Sequence, residues 1–369
     1  MDQRYRSMAQ VIIEYSTAVR AGDLVLIRGL SPLAEPLVQM LYSEAMAREA
    51  LPFNYLHIGG EDRLAIEATD NLGLLAEPNP MLVDMYQRAD VIIGIQAPDR
   101  FSDLSHYPHR KQHARSVAND VPIRIQKGRP SVRRCTALVP TQVHAQAADM
   151  SLPEFSDFLF RACKVHLPDP VRAWQQLSRR QSQLVNYLSG KCSVTVVGAH
   201  IELTMAIKDR VFINSAGKAN FPDGEVFTSP VEESVEGWVH FPRAASYHGV
   251  AVAGIELQFE AGKVVKATAA QNEAYLLELL NRDVGARYMG EFGIGMNSDV
   301  DRLTGSTLLD EKMAGSIHLA LGQGFPDAGG RNRSAIHWDL VYDLRDGAEL
   351  WVDGQLISVN GLLIDLPSA

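Results

Sequence analysis

Two hydrophobic patterns alternate along the first half of the chain. Short continuous apolar runs are typical of strands covered on both faces, and the longer segments between them place apolar residues at helical spacing. The predicted strands cover residues 24–27, 53–58, 90–95 and 136–139. The predicted helices cover residues 8–19, 32–50, 81–89, 152–164 and 169–188. Strands that alternate with helices in this way predict a parallel sheet with helices packed on it.

The pattern changes near residue 190, directly after a Ser-Gly turn signal. Beyond it, the apolar positions fall in short segments that are rich in β-branched residues and bounded by turns. These predicted strands cover residues 192–197, 201–207, 211–213, 238–241, 250–259 and 263–270. We therefore predict an α/β N-terminal domain over residues 1–190 and an α+β C-terminal domain over residues 191–369, which carries the candidate metal site.

Composition and charge exclude several classes of protein. The chain has 369 residues and a formal net charge of −9, and it lacks the basic block that neutralises nucleic-acid phosphates, so we expect no nucleic-acid partner. No apolar run approaches the roughly 18 residues of a membrane span, so we expect no membrane partner. Three cysteines, Cys135, Cys163 and Cys192, are far apart in the sequence, which argues against a disulfide framework and favours a cytoplasmic protein.

Four segments of the C-terminal half combine metal-ligand residue types with glycines or apolar neighbours. They read PDGEVFTSP at 222–230, GEFGIGMN at 290–297, DEKMAGSIH at 310–318 and NRSAIHWD at 332–339. In an extended segment, positions two apart share a face, so His337 and Asp339 are expected to project together. Imidazole and carboxylate are a usual ligand pair for zinc, cobalt or manganese. His318 lies in an apolar run, where an imidazole needs a partner or a metal.

Each of these features also has an ordinary structural explanation. A His-x-Asp pair in a strand is often a hydrogen-bonded surface pair, and a histidine in an apolar run is often a core residue with a partner. Glu225 and Glu291, taken singly, are compatible with turn caps. The spacing alone therefore leaves a metal site and an ordinary packed sheet open.

Taken in order, the four segments resemble the aminopeptidase T family of metallopeptidases, also called thermophilic aminopeptidases. The matching strings are GEVFTSP, GEFGIGMN, the Asp310-Glu311 pair with His318 and Gly322 after it, and GGRNRSAIHWD. The resemblance extends from about residue 201 to the C-terminus and more loosely over the N-terminal part. It implies a metalloprotease, usually homodimeric, that uses two divalent ions (zinc, cobalt or manganese) to release N-terminal residues from peptides.

The resemblance also implies roles for individual residues. The implied metal ligands are Glu225, Glu291, His318, His337 and Asp339. Glu311 is a further candidate ligand, although the family's spacing from this glutamate to the histidine is two residues shorter. Glu291 or Glu311 is expected to carry the proton from a metal-activated water to the leaving amine. Whether Glu291 or Asp339 bridges the metals stays open, and a short peptide or a small amide is the expected substrate.

One position departs from the family. A tyrosine usually follows the ligand histidine by seven residues, where its hydroxyl can stabilise a developing oxyanion, and this chain has Phe325 there. Loss of one such donor typically costs about 10²–10³ in rate. Phe325 is therefore expected to line the substrate pocket, and it leaves open whether peptides are the substrates of this chain.

Two other functions remain as alternatives. The first is a non-peptidase metalloenzyme on the same fold, either a small amide hydrolase or a ring-opening dioxygenase that acts on a dihydroxypyridine with one iron. The chain also resembles that dioxygenase family, in which a histidine stands where this chain has Glu291, and a carboxylate-rich set favours two hard divalent ions over one iron. The second alternative is a catalytically silent binding protein that retains the fold.

Overall fold

The computed structural model describes residues 2–99, 106–247 and 249–364, and the chain folds into two compact units. The first unit consists of Met1–Arg172 and Gly217–Pro222, and the second of Ala173–Ala216 and Asp223–Ala369. The junction after Arg172 falls inside the helix Pro170–Leu188, whereas the sequence predicted a boundary after that helix. The domain boundary near residue 190 stays a prediction.

The first unit is built on a five-stranded sheet in which every neighbouring pair of strands is parallel. Its strands are β1 Leu24–Gly29, β2 Leu51–Leu56, β3 Val91–Gln96, β4 Arg133–Leu138 and β8 Asn220–Phe221, in the order β2-β1-β3-β4-β8. Its helices are α1 Gln3–Val11, α2 Glu35–Met46, α3 Glu61–Ala68, α4 Leu72–Ala76, α5 Pro80–Arg88, α6 His109–Lys127, α7 Gln142–Ala147 and α8 Leu152–Ala162. Consecutive residues of β1 and β3 are buried, as expected for strands covered on both faces.

The second unit contains two large antiparallel sheets and one short hairpin. The eight-stranded sheet has the order β14-β13-β10-β6-β5-β18-β19-β20, and the five-stranded sheet has the order β17-β16-β15-β9-β7. The strands are β5 Ser193–Gly198, β6 Ile201–Ala206, β7 Ile213–Ser215, β9 Glu225–Thr228, β10 Glu236–Phe241, β11 Ala245–Tyr247, β12 Val250–Val252, β13 Ile255–Glu260, β14 Lys263–Thr268, β15 Met289–Gly295, β16 Ser316–Gly322, β17 His337–Asp343, β18 Glu349–Val352, β19 Gln355–Val359 and β20 Leu362–Leu363. The helices are α9 Pro170–Leu188, α10 Glu273–Leu280 and α11 Thr307–Asp310.

The two sheets of the second unit differ in how they are buried. In β6 and β13 buried and exposed positions alternate, which is the pattern of a sheet with one solvated face. In β15 and β16 every residue is buried, and apolar residues of both sheets join one hydrophobic cluster. Polar side chains on the second face of the five-stranded sheet are therefore removed from water, and they need partners or an ion.

The predicted fold class, an α/β part followed by an α+β part, is confirmed. Several boundaries differ from the predicted ones. The predicted strand over residues 250–259 is two strands, β12 and β13, because Gly254 between them adopts a positive φ of 63° that interrupts the pleat. Among the described residues, no helix has both the length and the apolar character needed to cross a membrane.

Candidate metal centre

Neighbouring strands of the five-stranded sheet carry most of the predicted ligands. Glu225 begins β9, Glu291 lies in β15 and His318 lies in β16. His337 and Asp339 occupy alternate positions at the start of β17, and their side chains approach within 3.5 Å. The sheet order therefore brings residues that are separated by more than 100 positions in sequence onto neighbouring strands.

The register of the strands puts these side chains on one face. Ala320 of β16 pairs with Glu291 on one side and with Asp339 on the other, so all three residues share a face. His318 lies two residues before Ala320 and therefore points to the same side. The methyl group of Ala320 leaves room between the two carboxylates, and an irregularity in register between Met289 and Glu291 adjusts the direction of the Glu291 side chain.

Gly293 provides the space for the His318 ring. It pairs with His318 across the strands, and a Cβ built at Gly293 would lie 2.0 Å from the His318 ring carbon Cε1. Any side chain at this position would displace the imidazole from the face of the sheet. The glycine in GEFGIGMN is therefore required by packing against a ligand-type side chain rather than by a turn.

Glu291 lies between the two histidines. Its Oε1 is 3.4 Å from His318 Nε2 and its Oε2 is 3.2 Å from His337 Nε2. The opposite ring nitrogen of His337, Nδ1, donates a hydrogen bond of 2.7 Å to the carbonyl of Gln323. A backbone acceptor at Nδ1 orients the ring and leaves Nε2 directed at the carboxylates, which is the arrangement found around histidines that ligate metals.

Burial and charge act in opposite directions on these groups. Burial raises the pKa of Glu225 to about 8 and that of Asp339 to about 7. Burial alone would also raise the pKa of Glu291, but hydrogen bonds from His318 and His337 outweigh it and lower that pKa to about 2. Burial would lower the pKa of both imidazoles, but the neighbouring carboxylates raise it to about 9 for His318 and about 10 for His337. The carboxylates thus hold protons on both histidines in the metal-free protein.

Glu311 lies at the edge of this group. Its carboxylate can share an ion with His318 and Asp339, since one ligand atom from each lies within 4.8 Å of the others. Two further groups meet the same criterion, Glu225 with Glu291 and His318, and Glu291 with His337 and Asp339. All six predicted ligands therefore lie in one cluster. Glu291 belongs to two of the three groups, and Glu311 belongs to the third.

The residues present fit a metal centre. Three buried ligand-type atoms have no hydrogen-bond partner in the described part of the chain. They are His318 Nδ1, Glu225 Oε2, which is 3.2 Å from His318 Nε2, and Asp339 Oδ1, which is 3.5 Å from His337 Nε2. Buried polar atoms without partners are rare and costly in folded proteins, and buried carboxylates that crowd together need a cation. The donor set of carboxylates and imidazoles suits divalent zinc, cobalt or manganese.

Lys312 is a part of this cluster that the sequence analysis missed. Its side chain is 0% exposed, and its Nζ lies 2.5 Å from Glu225 Oε1, 2.7 Å from Glu311 Oε1 and 3.5 Å from Asp223 Oδ1. Burial alone would lower the pKa of Lys312, but the carboxylates of Glu225, Glu311 and Asp223 raise it well above its usual value. In the sequence, a lysine after Asp-Glu has the appearance of a solvated charge run, and only its place directly before apolar residues hints at burial.

We expect Lys312→Met to lower the free energy of unfolding of the metal-free protein by about 3–5 kcal/mol, because it leaves buried carboxylates without their counter-charge. Urea denaturation measures this. The matched control is Lys266→Met at an exposed position of β14, which should change stability by no more than about 0.5 kcal/mol. Equal stability of the two variants would mean that the ammonium does not stabilise the acidic cluster.

Phe325 lies beside the cluster, next to His337. Its ring meets the His337 ring edge to face, with ring centroids 5.2 Å apart and an interplanar angle of 85°, and it contacts Phe227 at 5.0 Å. Its backbone N–H donates to Ser229 Oγ, which in turn donates to the carbonyl of Gly290. The ring is half-buried rather than enclosed in the core. Its role in substrate binding stays a prediction.

Comparison with known proteins decides the family. The family described as Thermophilic metalloprotease (M29) matches residues 1–354. The chain belongs to the M29 family. This M29 chain is 27% identical over 312 residues to Aminopeptidase 2 of Geobacillus stearothermophilus, which covers 73% of the chain and 73% of that relative. Family and relative confirm the prediction of a metal-dependent aminopeptidase-like hydrolase.

Two solved structures share the fold of this M29 chain. Wild-type AmpT from Thermus thermophilus matches with a TM-score of 0.84 and 20% identity, over 98% of this chain and 99% of that one. The 2,5-dihydroxypyridine dioxygenase from Pseudomonas putida KT2440 matches with a TM-score of 0.62 and 14% identity, over 99% and 98%. At these identities the likeness concerns the fold alone, and one fold carries both chemistries. The family match therefore separates the peptidase from the oxygenase.

Proposed function

We propose that this chain is an aminopeptidase that holds two divalent ions on the face of the five-stranded sheet, with Glu291 as the bridging ligand. The observation that carries the proposal is the position of the Glu291 carboxylate, which directs one oxygen at each histidine. One ion would be held by Glu225, Glu291 and His318, and the other by Glu291, His337 and Asp339.

The charge of the cluster supports two ions. Among the described residues the cluster contains the carboxylates of Asp223, Glu225, Glu291, Glu311 and Asp339 and one ammonium, that of Lys312, which contacts the first, second and fourth of them. Ligand histidines are neutral, so the cluster with ionised carboxylates carries four negative charges, which two divalent ions neutralise. When bound, such ions lower the pKa of a water and polarise a scissile carbonyl.

The reaction also needs a group that transfers a proton. Glu291 and Asp339 are ligands of the two proposed ion sites, whereas Glu311 belongs to neither of them. Glu311 is therefore the better candidate to take a proton at a carboxylate oxygen and to return it to the leaving amine. Lys312 holds Glu311 Oε1 at 2.7 Å and so fixes the direction of this carboxylate.

The metal-loaded cluster would also bind the amino terminus of a peptide, because a free amine can bind one of the ions or a carboxylate beside them. An amine held there would limit cleavage to the first peptide bond, which is the specificity of an aminopeptidase. The half-buried Phe325 ring beside His337 is then placed to contact the first residue of the substrate.

The test of the metal site is a titration of metal-free protein with Zn²⁺ or Mn²⁺ at pH 7, in which we expect two ions per chain to bind. The raised pKa values of His318 and His337, about 9 and about 10, mean that both imidazoles hold a proton at pH 7. Glu225, with its pKa raised to about 8, also holds most of a proton at pH 7, and Asp339, with a pKa of about 7, holds part of one. Ligand imidazoles are neutral and ligand carboxylates are ionised, so binding should release about three protons, and affinity should rise as pH increases from 7 to 9.

Calorimetry in two buffers with different ionisation enthalpies measures the proton release. His200→Ala, outside the cluster, is the matched control and should leave stoichiometry and proton release unchanged. Binding of one iron per chain, with no uptake of a second ion, would contradict the two-metal proposal and favour the dioxygenase alternative.

The proposal retains a cytoplasmic homodimer. None of the three cysteines, all of which the structure describes, forms a disulfide, and this agrees with a reducing compartment. The homodimer rests on the resemblance of the four sequence segments to the family. Light scattering on the eluted protein tests the homodimer, and a mass of 40.6 kDa would correspond to a single chain.

A further inference from the structure

A cavity of about 530 Å³ lies next to the metal cluster in the second unit. It is lined by Gln323, Gly324 and Pro326 of the turn after β16, and by the segment before β17, at residues 330–334. The lining of the cavity is linked to the metal cluster through Gln323, whose carbonyl accepts the hydrogen bond from His337 Nδ1. The cavity therefore begins one residue away from a proposed metal ligand.

Hydrogen bonds from three other parts of the second unit hold the segment before β17 in place. Asn332 Nδ2 donates to the carbonyls of Gly285 and Gly322, at 2.9 Å and 2.5 Å. Glu232, which is ion-paired with Arg210 at 2.7 Å, accepts from the backbone N–H groups of Arg331 and Asn332. These contacts fix the backbone of the segment, so the side chains that flank Asn332 start from fixed positions.

Arg331 and Arg333 flank Asn332, and both line the cavity. Both are exposed, and neither guanidinium forms an ion pair with an acidic side chain among the described residues. Two acidic groups that contact this segment have other partners, since Glu232 binds Arg210 and Asp283 accepts from Ser334 Oγ and Ala335 N. Two unpaired guanidinium groups in one cavity, on a chain with a net charge of −9, are suited to bind an anion such as a carboxylate.

We propose that Arg331 and Arg333 bind a carboxylate of the peptide substrate, and that this makes the chain selective for short peptides with a free C-terminus. The proposal rests on the proposed aminopeptidase function. A peptide extends by about 3.5 Å per residue, so the carboxylate of a dipeptide or tripeptide lies about 7–11 Å from its amine. Because the cavity begins at Gln323, which accepts from His337, a short peptide with its amine at the metal cluster can direct its carboxylate into the cavity.

The experiment compares kcat/KM of the metal-loaded enzyme for Leu-Ala, Leu-Ala amide and Leu-Glu amide, together with the matching tripeptides Leu-Ala-Ala and its amide. We expect the free acids to be cleaved about tenfold better than the amides, because two exposed charge pairs together contribute about that factor. The preference should shrink at high salt. Leu-Glu amide separates the two sources of the carboxylate, since its only carboxylate is on the second side chain.

Arg331→Gln, Arg333→Gln and the double variant should bring the ratio of free acid to amide toward one. Arg179→Gln, an exposed arginine of α9 that does not line the cavity, is the matched control and should keep the wild-type ratio. If Leu-Glu amide were the only one of these substrates that the wild type cleaves efficiently, the pocket would bind an acidic second residue. That result would overturn selectivity for the free C-terminus. Equal cleavage of acids and amides by the wild type would overturn the whole inference and leave the aminopeptidase intact, whereas no cleavage of any peptide would contradict the proposed function.

A second readout needs no turnover. In saturation-transfer NMR with metal-free protein, Leu-Ala should give a stronger signal than Leu-Ala amide, and the double arginine variant should lose the difference. Equal signals for both peptides with the unmodified protein would contradict a carboxylate site in this cavity.

Discussion

Glu291→Gln is expected to lower kcat/KM for leucyl peptides by about 10²-fold or more, because loss of the bridging carboxylate weakens both of the ion sites that would activate the attacking water. The amide keeps the volume of the side chain but removes its charge and one acceptor oxygen. Glu291 directs one oxygen at His318 and the other at His337, so an amide cannot serve both sites. Metal analysis of the variant should therefore give fewer than two ions per chain.

The matched control is Glu278→Gln, an exposed position of α10 in the same unit. This variant should keep both its metal content and its activity. If Glu291→Gln bound two ions and retained wild-type activity, the bridge would have to be assigned to another carboxylate. Asp339, which is 3.5 Å from His337 Nε2, would be the next candidate, and Asp339→Asn would test it.

The strand-borne part of the cluster follows from periodicity. His337 and Asp339 stand two apart in a segment that forms a strand, so a shared face could be predicted from sequence. His318 could be singled out because a buried imidazole in an apolar run needs a partner. The pairing of Ala320 with both Glu291 and Asp339 was not predictable, because register depends on strands that are distant in sequence.

Other features of the cluster depend on tertiary packing and leave little trace in the sequence. Lys312 follows two acidic residues, as lysines on solvated surfaces often do, and only the fold shows that three carboxylates surround it. The sequence left open whether Glu291 or Asp339 is the bridging ligand. The proposal of Glu291 rests on the distances from its two carboxylate oxygens to His318 and His337. Helix α6 was not predicted either, because its sequence is rich in polar residues and its apolar spacing is weak.

Phe325→Tyr is expected to raise the rate of peptide hydrolysis by up to about 10²–10³-fold. The new hydroxyl is attached to a ring that already meets His337 edge to face, at 5.2 Å between centroids. A hydroxyl there can donate to an oxyanion that forms beside the ions, and one such donor is worth about 2.7–4 kcal/mol of transition-state stabilisation. The measurement is kcat on a leucyl dipeptide, since a donor used only in the transition state raises kcat more than it lowers KM.

Phe325→Leu is the matched control for this prediction. It keeps an apolar side chain at the position but offers neither a ring nor a hydroxyl, so it should show no gain in kcat. The tyrosine variant must also retain its metal content, which separates a gain in chemistry from a gain in metal occupancy. Equal rates for Phe325→Tyr and the parent chain, with both fully loaded, would show that another donor already stabilises the oxyanion.

Both possible results for Phe325→Tyr, a gain in rate or no gain, identify something about the oxyanion donor. The backbone N–H of Phe325 donates to Ser229 Oγ and is not available as an oxyanion donor. Gly324 and Gly330 border the adjacent cavity. Gly330 lies so close to the backbone of Phe325 that a Cβ built at Gly330 would lie 2.8 Å from Phe325 N. If the tyrosine gives no gain, arginine variants of the cavity become the next experiment, because Arg331 and Arg333 are the charged donors beside it. A gain would instead mean that this chain lacks an oxyanion donor that its fold can accommodate at position 325. The parent chain would then hydrolyse peptides more slowly than a chain with a tyrosine there.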